Sequence, residues 1–173
     1  MPETALITRV PEAEQYISRY RDRYDPSARR NVPAHVTILY PFMDPARVTE
    51  EVRARLRRVA AAVPRFSYRI ARTERFPVAL YLAPDPDRPY SALIDGVFAE
   101  FPDYPPFEGK FDTIVPHITV AHGDEPLLCE IDVALRIALP GAGIAASCHE
   151  LVLIENSSGR WEQMDVFPLG LQT

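Results

Sequence analysis

Two short stretches of this chain share one pattern: AHVTILY at residues 34–40 and PHITVAH at residues 116–122. In each stretch a histidine and a threonine stand two residues apart, with apolar residues between and after them. Residues two apart in a β-strand point to the same face and lie roughly 7 Å from each other. Each stretch is therefore predicted to be a strand that presents His and Thr on one face and buries aliphatic side chains on the other.

The two pairs together suit acid–base chemistry at a phosphate group. Breaking a phosphodiester requires one proton to leave the attacking oxygen and another to reach the leaving oxygen. Two imidazoles can divide this work, because a pKa of about 6.5 lets one ring be neutral while the other is charged. The threonine hydroxyls would hold the non-bridging oxygens as charge develops. His35, Thr37, His117 and Thr119 are the candidate site residues.

These motifs resemble those of the 2H phosphoesterase superfamily, also called the 2′-5′ RNA ligase or LigT-like family. Members carry two His-x-Thr/Ser motifs separated by most of the domain, and here His117 follows His35 by 82 residues in a chain of 173. The first predicted strand and the final hairpin also fit. The resemblance implies an α+β fold of two lobes, with mostly antiparallel sheets around a central cleft and helices on the outside.

The resemblance also implies a metal-independent phosphodiesterase acting on 2′,3′-cyclic phosphates or 2′-5′ linkages of RNA ends or nucleotides. His35 and His117 would be the general acid and base, in an order that the sequence does not assign. Thr37 and Thr119 would bind the phosphate. The same residues could cut a 2′-5′ linkage or join one.

Three further residues are possible substrate contacts. Tyr40 and His122 each follow a motif threonine by three residues, where some family members place a ligand-binding group. That position faces away in an ideal strand, so a contact requires a bulge or a strand end. Family members often carry a basic residue shortly before the second motif; Lys110 is the nearest here, although the acidic Asp112 is closer to the motif.

Composition limits the class of protein and of partner. A chain of 173 residues with 47% hydrophobic and 25% charged residues is predicted to form a single domain spanning 1–173. Its net charge of −5 argues against binding a long duplex, which requires a basic face. The expected partner is a small nucleotide or an RNA end. Arg29 and Arg30 are candidates for steering its phosphate, whereas the arginine-rich segment 53–58 is predicted to be a solvated helix face.

No metal ion or other cofactor is predicted, because the sequence lacks ligand spacings of His, Cys or carboxylate residues. Cys129 and Cys148 are expected to be reduced thiols. No signal peptide and no apolar run of membrane-spanning length are recognisable. We therefore expect a cytoplasmic protein without a membrane partner. We also expect a monomer, since the implied cleft is complete within one chain.

The hydrophobic pattern predicts about seven strands and four helices. Strands are predicted at 5–10, 35–42, 66–76, 78–83, 114–121, 148–155 and 160–167, and helices at 11–24, 49–63, 88–101 and 124–139. The last helix is ambiguous, because its apolar residues fit strand alternation as well as helical spacing. Its length, the capping position of Asp124 and Pro126 in the first turn favour a helix. The aromatic loop 101–111 is predicted to cover the core, with stacking on unpaired bases as the alternative.

Two other functions stay open at this point. The chain could be a non-catalytic domain that binds nucleotides or RNA ends in the same cleft. It could also be a metal-dependent hydrolase using His35, His117 and His122, although supporting carboxylates are missing. Sensitivity to chelators separates a metal enzyme from the two-histidine enzyme. Loss of turnover with retained binding in His117→Ala separates an enzyme from a binding domain.

Overall fold

The two motif strands occupy corresponding edges of two four-stranded sheets. The computed structural model describes residues 1–171, and within them the strands are β1 (Thr4–Arg9), β2 (His35–Leu39), β3 (Phe66–Phe76), β4 (Ala79–Asp85), β5 (Ile118–His122), β6 (Ile144–Cys148), β7 (Glu150–Glu155) and β8 (Glu162–Pro168). One sheet has the order β2-β1-β7-β8 and the other β5-β4-β3-β6. Every neighbouring pair within the sheets is antiparallel.

Five α-helices lie outside the sheets in this part of the chain. They are α1 (Glu14–Tyr24), α2 (Pro26–Arg29), α3 (Glu50–Ala62), α4 (Arg88–Glu100) and α5 (Glu125–Ala138), and three short 3₁₀ turns complete the elements. The α+β fold with mostly antiparallel sheets is therefore confirmed. The ambiguous segment before Leu139 is a helix, and its N-terminus is capped by Asp124, whose carboxylate accepts from the N–H of Leu127 at 3.1 Å.

Several elements differ from those that the sequence pattern predicts, and the strand predicted at 148–155 divides into the last residue of β6 and the whole of β7. Strand β2 ends at Leu39, ahead of Pro41, and β5 begins only at Ile118 because the preceding Pro116 has no N–H for the ladder. The apolar pattern does not predict β6, and it predicts a loop in place of α2. Helix α2 forms because Asp25 caps its N-terminus, accepting from the N–H of Ser27 at 2.9 Å.

The helices join the two halves of the molecule by packing across them. Helix α1 follows β1 in the chain but contacts β5 of the other sheet. Helix α4 follows β4 and likewise contacts β2. In each strand–helix–strand unit, the helix therefore packs against the motif strand of the other sheet. This exchange fixes β2 and β5 relative to each other.

Each motif strand buries one face and presents the other face to the cleft. Val36 and Ile38 are buried on β2, while His35 and Thr37 are half-buried. The second motif repeats this alternation, with Ile118 and Val120 buried and His117 and Thr119 half-buried. The face predicted for each His-Thr pair is thus the face that the fold leaves accessible.

Two surface features agree with the sequence analysis. Arginines of α3 form ion pairs, among them Arg53 with Asp165 at 3.2 Å and Arg57 with Glu50 at 3.2 Å, as expected for a solvated helix face. Both cysteines are free thiols, and the buried position that the sequence favours for them holds for Cys148 but is wrong for Cys129, which is exposed. Within residues 1–171, no helix combines the length and the apolar character needed to cross a bilayer.

Helix α1 offers a test of the packing across the sheets. We expect Ile17→Ala to lower the free energy of unfolding by about 2–5 kcal/mol, because Ile17 has no exposed surface and its truncation leaves a cavity. Ile137→Ala is the matched control: this isoleucine of α5 is 81% exposed, and its loss should change stability by less than about 0.5 kcal/mol. Urea unfolding of both variants measures the difference, and equal effects would contradict the assigned packing.

Candidate active site

Both motif histidines are oriented by a backbone carbonyl two residues earlier. Nδ1 of His35 lies 2.7 Å from the carbonyl oxygen of Pro33, and Nδ1 of His117 lies 2.7 Å from that of Val115. A carbonyl oxygen can only accept, so Nδ1 carries the proton in each ring. The neutral imidazole then has its lone pair on Nε2. The two motifs therefore present the same nitrogen for chemistry.

The segments before each histidine are fixed by hydrogen bonds or burial. The carbonyl of Ala34 accepts from the N–H of Val10 at 2.8 Å, and the N–H of Ala34 donates to the carboxylate of Glu14 at 2.6 Å. Pro116 is buried directly before His117. The residue between each orienting carbonyl and its histidine is therefore anchored.

Burial makes both imidazoles harder to protonate. Desolvation, followed by the nearby positive charge of Arg21, lowers the pKa of His35 from its ordinary 6.5 to about 4. The hydrogen bond to Pro33 and the negative charge of Asp25 oppose this shift, and the charge of His117 adds to it. Desolvation also lowers the pKa of His117, with a further contribution from His122.

The two motif strands lie next to each other. The charge of His117 acts on the pKa of His35, and β2 contacts β5. Within the sheets, Thr37 pairs with Ile7 of β1, and Thr119 pairs with Tyr81 of β4. The residue opposite the motif threonine is therefore aliphatic in one sheet and aromatic in the other.

On the His35 side, the cleft widens into a cavity of about 230 Å³. Its lining combines apolar groups with a few polar ones: Ala5, Ile7, Pro26, Ser27, Arg30, Val32, His35, Thr37, Tyr40, Ile154 and Trp161. The rings of Tyr40 and Trp161 meet edge to face, with centroids 6.0 Å apart. An apolar floor with an arginine at its margin suits a flat ring joined to an anion.

On the His117 side, the wall is aromatic. Phe76 and Tyr81 stack with their centroids 4.4 Å apart, and the His117 ring stands nearly perpendicular to Phe76 at 5.0 Å. Tyr81 is 5.5 Å from the same imidazole. These contacts restrict rotation of the His117 ring, whereas His35 has no comparable aromatic partner among the described residues.

Comparison with known proteins identifies the superfamily. The model of the 2′-5′ RNA ligase superfamily matches residues 10–160. The chain belongs to this superfamily. Its 2H phosphoesterase character is further supported by proteins of Geobacillus kaustophilus and Geobacillus thermodenitrificans that are named as candidate phosphoesterases. Each is 28% identical over 167 residues, which cover 91% of this chain and 90% of the relative.

Solved structures share the fold of this superfamily member. Escherichia coli LigT in complex with 3′-AMP aligns with a TM-score of 0.62 and 18% identity, covering 98% of this chain and 99% of LigT. A protein of Thermus thermophilus aligns with a TM-score of 0.64 and 16% identity, covering 99% and 100% of the two chains. At these identities the likeness concerns the fold.

Tyr40, His122 and Lys110, the possible substrate contacts in this superfamily member, differ in their positions relative to the site. Tyr40 lines the His35 cavity just beyond the end of β2, and its hydroxyl donates to Glu3 at 3.0 Å. His122 is exposed at the end of β5 and acts on the pKa of His117. Lys110 is not among the lining residues of the His35 cavity; it forms an ion pair with Glu108. Tyr40 thus meets the strand-end condition for a contact, while no such contact is indicated for Lys110.

Trp161, like Phe76 and Tyr81, belongs to this site without having been a candidate from the sequence. Its backbone N–H donates to the carbonyl of Arg30 at 2.8 Å, and the side chain of Asn31 donates to the Trp161 carbonyl at 2.9 Å. These bonds bring the β7–β8 connection over the segment before His35. The available signal was that Trp161 is the single tryptophan of the chain. No local pattern links it to the first motif, which is distant in sequence.

Within residues 1–171 no group of three or more His, Cys, Asp or Glu side chains is arranged to hold a metal ion.

Ring ¹⁵N chemical shifts test the orientation of the histidines. We expect neutral His35 and His117 both to carry the proton on Nδ1, because each Nδ1 faces a carbonyl oxygen. We also expect His35 to remain neutral down to a pH of about 4. A predominant Nε2–H form in either ring would contradict the assigned orientation, and His35→Gln and His117→Gln assign the signals.

Proposed function

We propose that this protein hydrolyses 2′,3′-cyclic phosphates or 2′-5′ linkages of nucleotides or RNA ends by two-histidine acid–base catalysis. Membership of the 2′-5′ RNA ligase superfamily supports a phosphoesterase. The observation that carries the proposal is the matched pair of bonds from Nδ1 to a backbone carbonyl. It leaves Nε2 of each imidazole available to exchange a proton with substrate.

The reaction follows from these groups. As water attacks the phosphorus of a cyclic phosphate, Nε2 of one imidazole accepts a proton from that water while the new P–O bond forms. The other imidazole, protonated, gives its Nε2 proton to the ribose oxygen as the old P–O bond breaks. Thr37 and Thr119 donate hydrogen bonds to the non-bridging oxygens, which gain charge in the transition state. A 2′-5′ linkage is cut by the same proton transfers.

The His35 cavity supports a nucleotide as the substrate. Its apolar floor and the rings of Tyr40 and Trp161 suit a nucleobase, and the guanidinium of Arg30 suits a phosphate or ribose oxygen. Escherichia coli LigT is described in complexes with 3′-AMP, ATP and NADP+, which supports the same class of ligand. A net charge of −5 is compatible with a small nucleotide or a chain end.

Turnover of nucleoside 2′,3′-cyclic phosphates and of a 2′-5′ dinucleotide, with EDTA present, tests the function. We expect wild-type hydrolysis in EDTA, and a loss of about 10²–10⁴-fold in kcat for both His35→Ala and His117→Ala, since each removes a proton-transfer group. His149→Ala is the control, because this exposed histidine lies outside the motifs.

Each other outcome contradicts part of the proposal. Sensitivity to EDTA would point to a metal-dependent hydrolase. Binding of a nucleotide without turnover by the wild type would favour the non-catalytic binding domain. Hydrolysis that survives both histidine substitutions would exclude the two-histidine mechanism.

Arg30→Gln tests the assignment of the nucleotide to the His35 cavity. We expect KM to rise by about tenfold with a smaller change in kcat, because a hydrogen bond to an anionic group is lost. Arg29→Gln is the matched control, since this neighbouring arginine is exposed like Arg30 but does not line the cavity. Equal effects on KM from both substitutions would indicate general electrostatic attraction and contradict a specific contact.

A further inference from the structure

A further cavity lies between helix α4 and the loop that precedes the second motif. Its volume is about 440 Å³, and we call it the α4 groove. The helix contributes Asp95 and Phe98 to its walls, and the loop contributes Pro105, Phe111 and Asp112. Among the described residues that line it there is no motif residue and no residue of the His35 cavity. The α4 groove is therefore separate from the proposed active site.

The apolar part of the α4 groove contains two exposed aromatic rings. Phe111 is 60% exposed and Phe98 is 39% exposed, whereas the phenylalanines of the core are no more than 9% exposed. Two buried residues, Ile94 and Pro106, also line the groove. Removing exposed rings from water is favourable, and aromatic side chains are enriched in protein interfaces. The groove therefore suits a bulky apolar side chain of a partner.

Contacts within the fold hold the shape of the groove. The N–H of Phe107 donates to the carbonyl of Tyr40 at 2.7 Å, which joins the loop to the end of β2. The ring of Tyr104 packs edge to face against Phe42, with centroids 5.2 Å apart. On the other wall, α4 itself contacts β2. A groove that is already formed avoids part of the ordering cost of binding.

The charged groups that line the α4 groove are negative. Asp95 and Asp112 are exposed, one on each wall, and neither forms an ion pair within residues 1–171. In this described part of the chain the groove is lined by no lysine, arginine or histidine, and nearby Lys110 pairs with Glu108. Unpaired carboxylates attract a cation and repel the phosphates of a nucleic acid. Charge therefore favours a basic partner over RNA.

Arginine is the basic side chain that matches both features of the groove. A guanidinium can lie over an aromatic ring and at the same time donate hydrogen bonds to a carboxylate. The α4 groove offers the rings of Phe98 and Phe111 beside the carboxylates of Asp95 and Asp112. A peptide segment with arginine next to an apolar residue would satisfy the charge and cover the rings together.

We propose that the α4 groove docks an extended segment of a partner protein in which arginine stands next to a bulky apolar residue. The apolar side chain packs against Phe98 and Phe111, and guanidinium groups pair with the two carboxylates. The partner then contacts the loop whose Val115 carbonyl orients His117. This inference is independent of the proposed hydrolysis, because docking requires no turnover.

Titration with a peptide, followed by the amide NMR signals of the ¹⁵N-labelled protein, tests the proposal. The probe is a short capped peptide of alternating arginine and leucine, and the matched peptide has glutamate in place of arginine. We expect the arginine peptide to shift the amide signals of α4 and of residues 105–114, and the glutamate peptide to leave them unchanged. The affinity should fall as salt is added, since exposed ion pairs are screened.

Substitutions in the groove test the two parts of the contact. We expect the double variant Asp95→Asn with Asp112→Asn, and separately Phe111→Ser, to weaken binding of the arginine peptide by about tenfold. Asp103→Asn is the matched control, because this exposed acid belongs to the same loop but does not line the groove. All four side chains are exposed, so the variants should fold, and circular dichroism checks this.

Several results would overturn the proposal. Equal shifts with the glutamate peptide, or an equal loss of affinity in Asp103→Asn, would indicate general attraction. Shifts of the groove signals by oligoadenylate would make the site a nucleic-acid contact. Self-association that Phe111→Ser abolishes would place a second copy of the chain in the groove. Unchanged groove signals at the highest soluble concentration of the arginine peptide would contradict docking altogether.

Discussion

The position of the two histidines depends on the packing of helices across the sheets. Helix α1 contacts β5 and α4 contacts β2, so each motif strand is supported by a helix that follows a strand of the other sheet. Both motif strands are sheet edges and have a neighbouring strand on one side only. Without the crossed helices, nothing in the hydrogen-bond ladders would fix the distance between one edge and the other.

The orientation of each imidazole ring depends on residues adjacent to its motif. A carbonyl two residues before the histidine holds Nδ1, and burial of the opposite strand face holds the backbone in register. The same burial disfavours the charged ring, so both imidazoles have a lowered pKa. The burial that orients each imidazole therefore also lowers its pKa.

Much of the fold was predictable because its signals are local. Alternation of apolar residues identified the face of both motif strands, and the capping position of Asp124 correctly indicated α5. Prediction failed for α2, because the pair Asp25-Pro26 has two local roles: it ends α1 and also begins α2. Residues 148–155 were treated as one strand, although β6 and β7 belong to different sheets and His149 lies between them.

By itself the sequence determined that two His-Thr pairs lie on strand faces, since side-chain alternation requires only neighbouring residues. The repeated pattern also carries the resemblance to the superfamily, and the apolar periodicity along the chain predicts the α+β class. Only the tertiary structure decided that Trp161 and Tyr40 line one cavity with His35, and that Arg21 from α1 holds the segment before it. The physical reason is separation along the chain: burial of Arg21 with Asp25 and the bonds of Trp161 arise when distant segments pack, and no periodicity records such contacts.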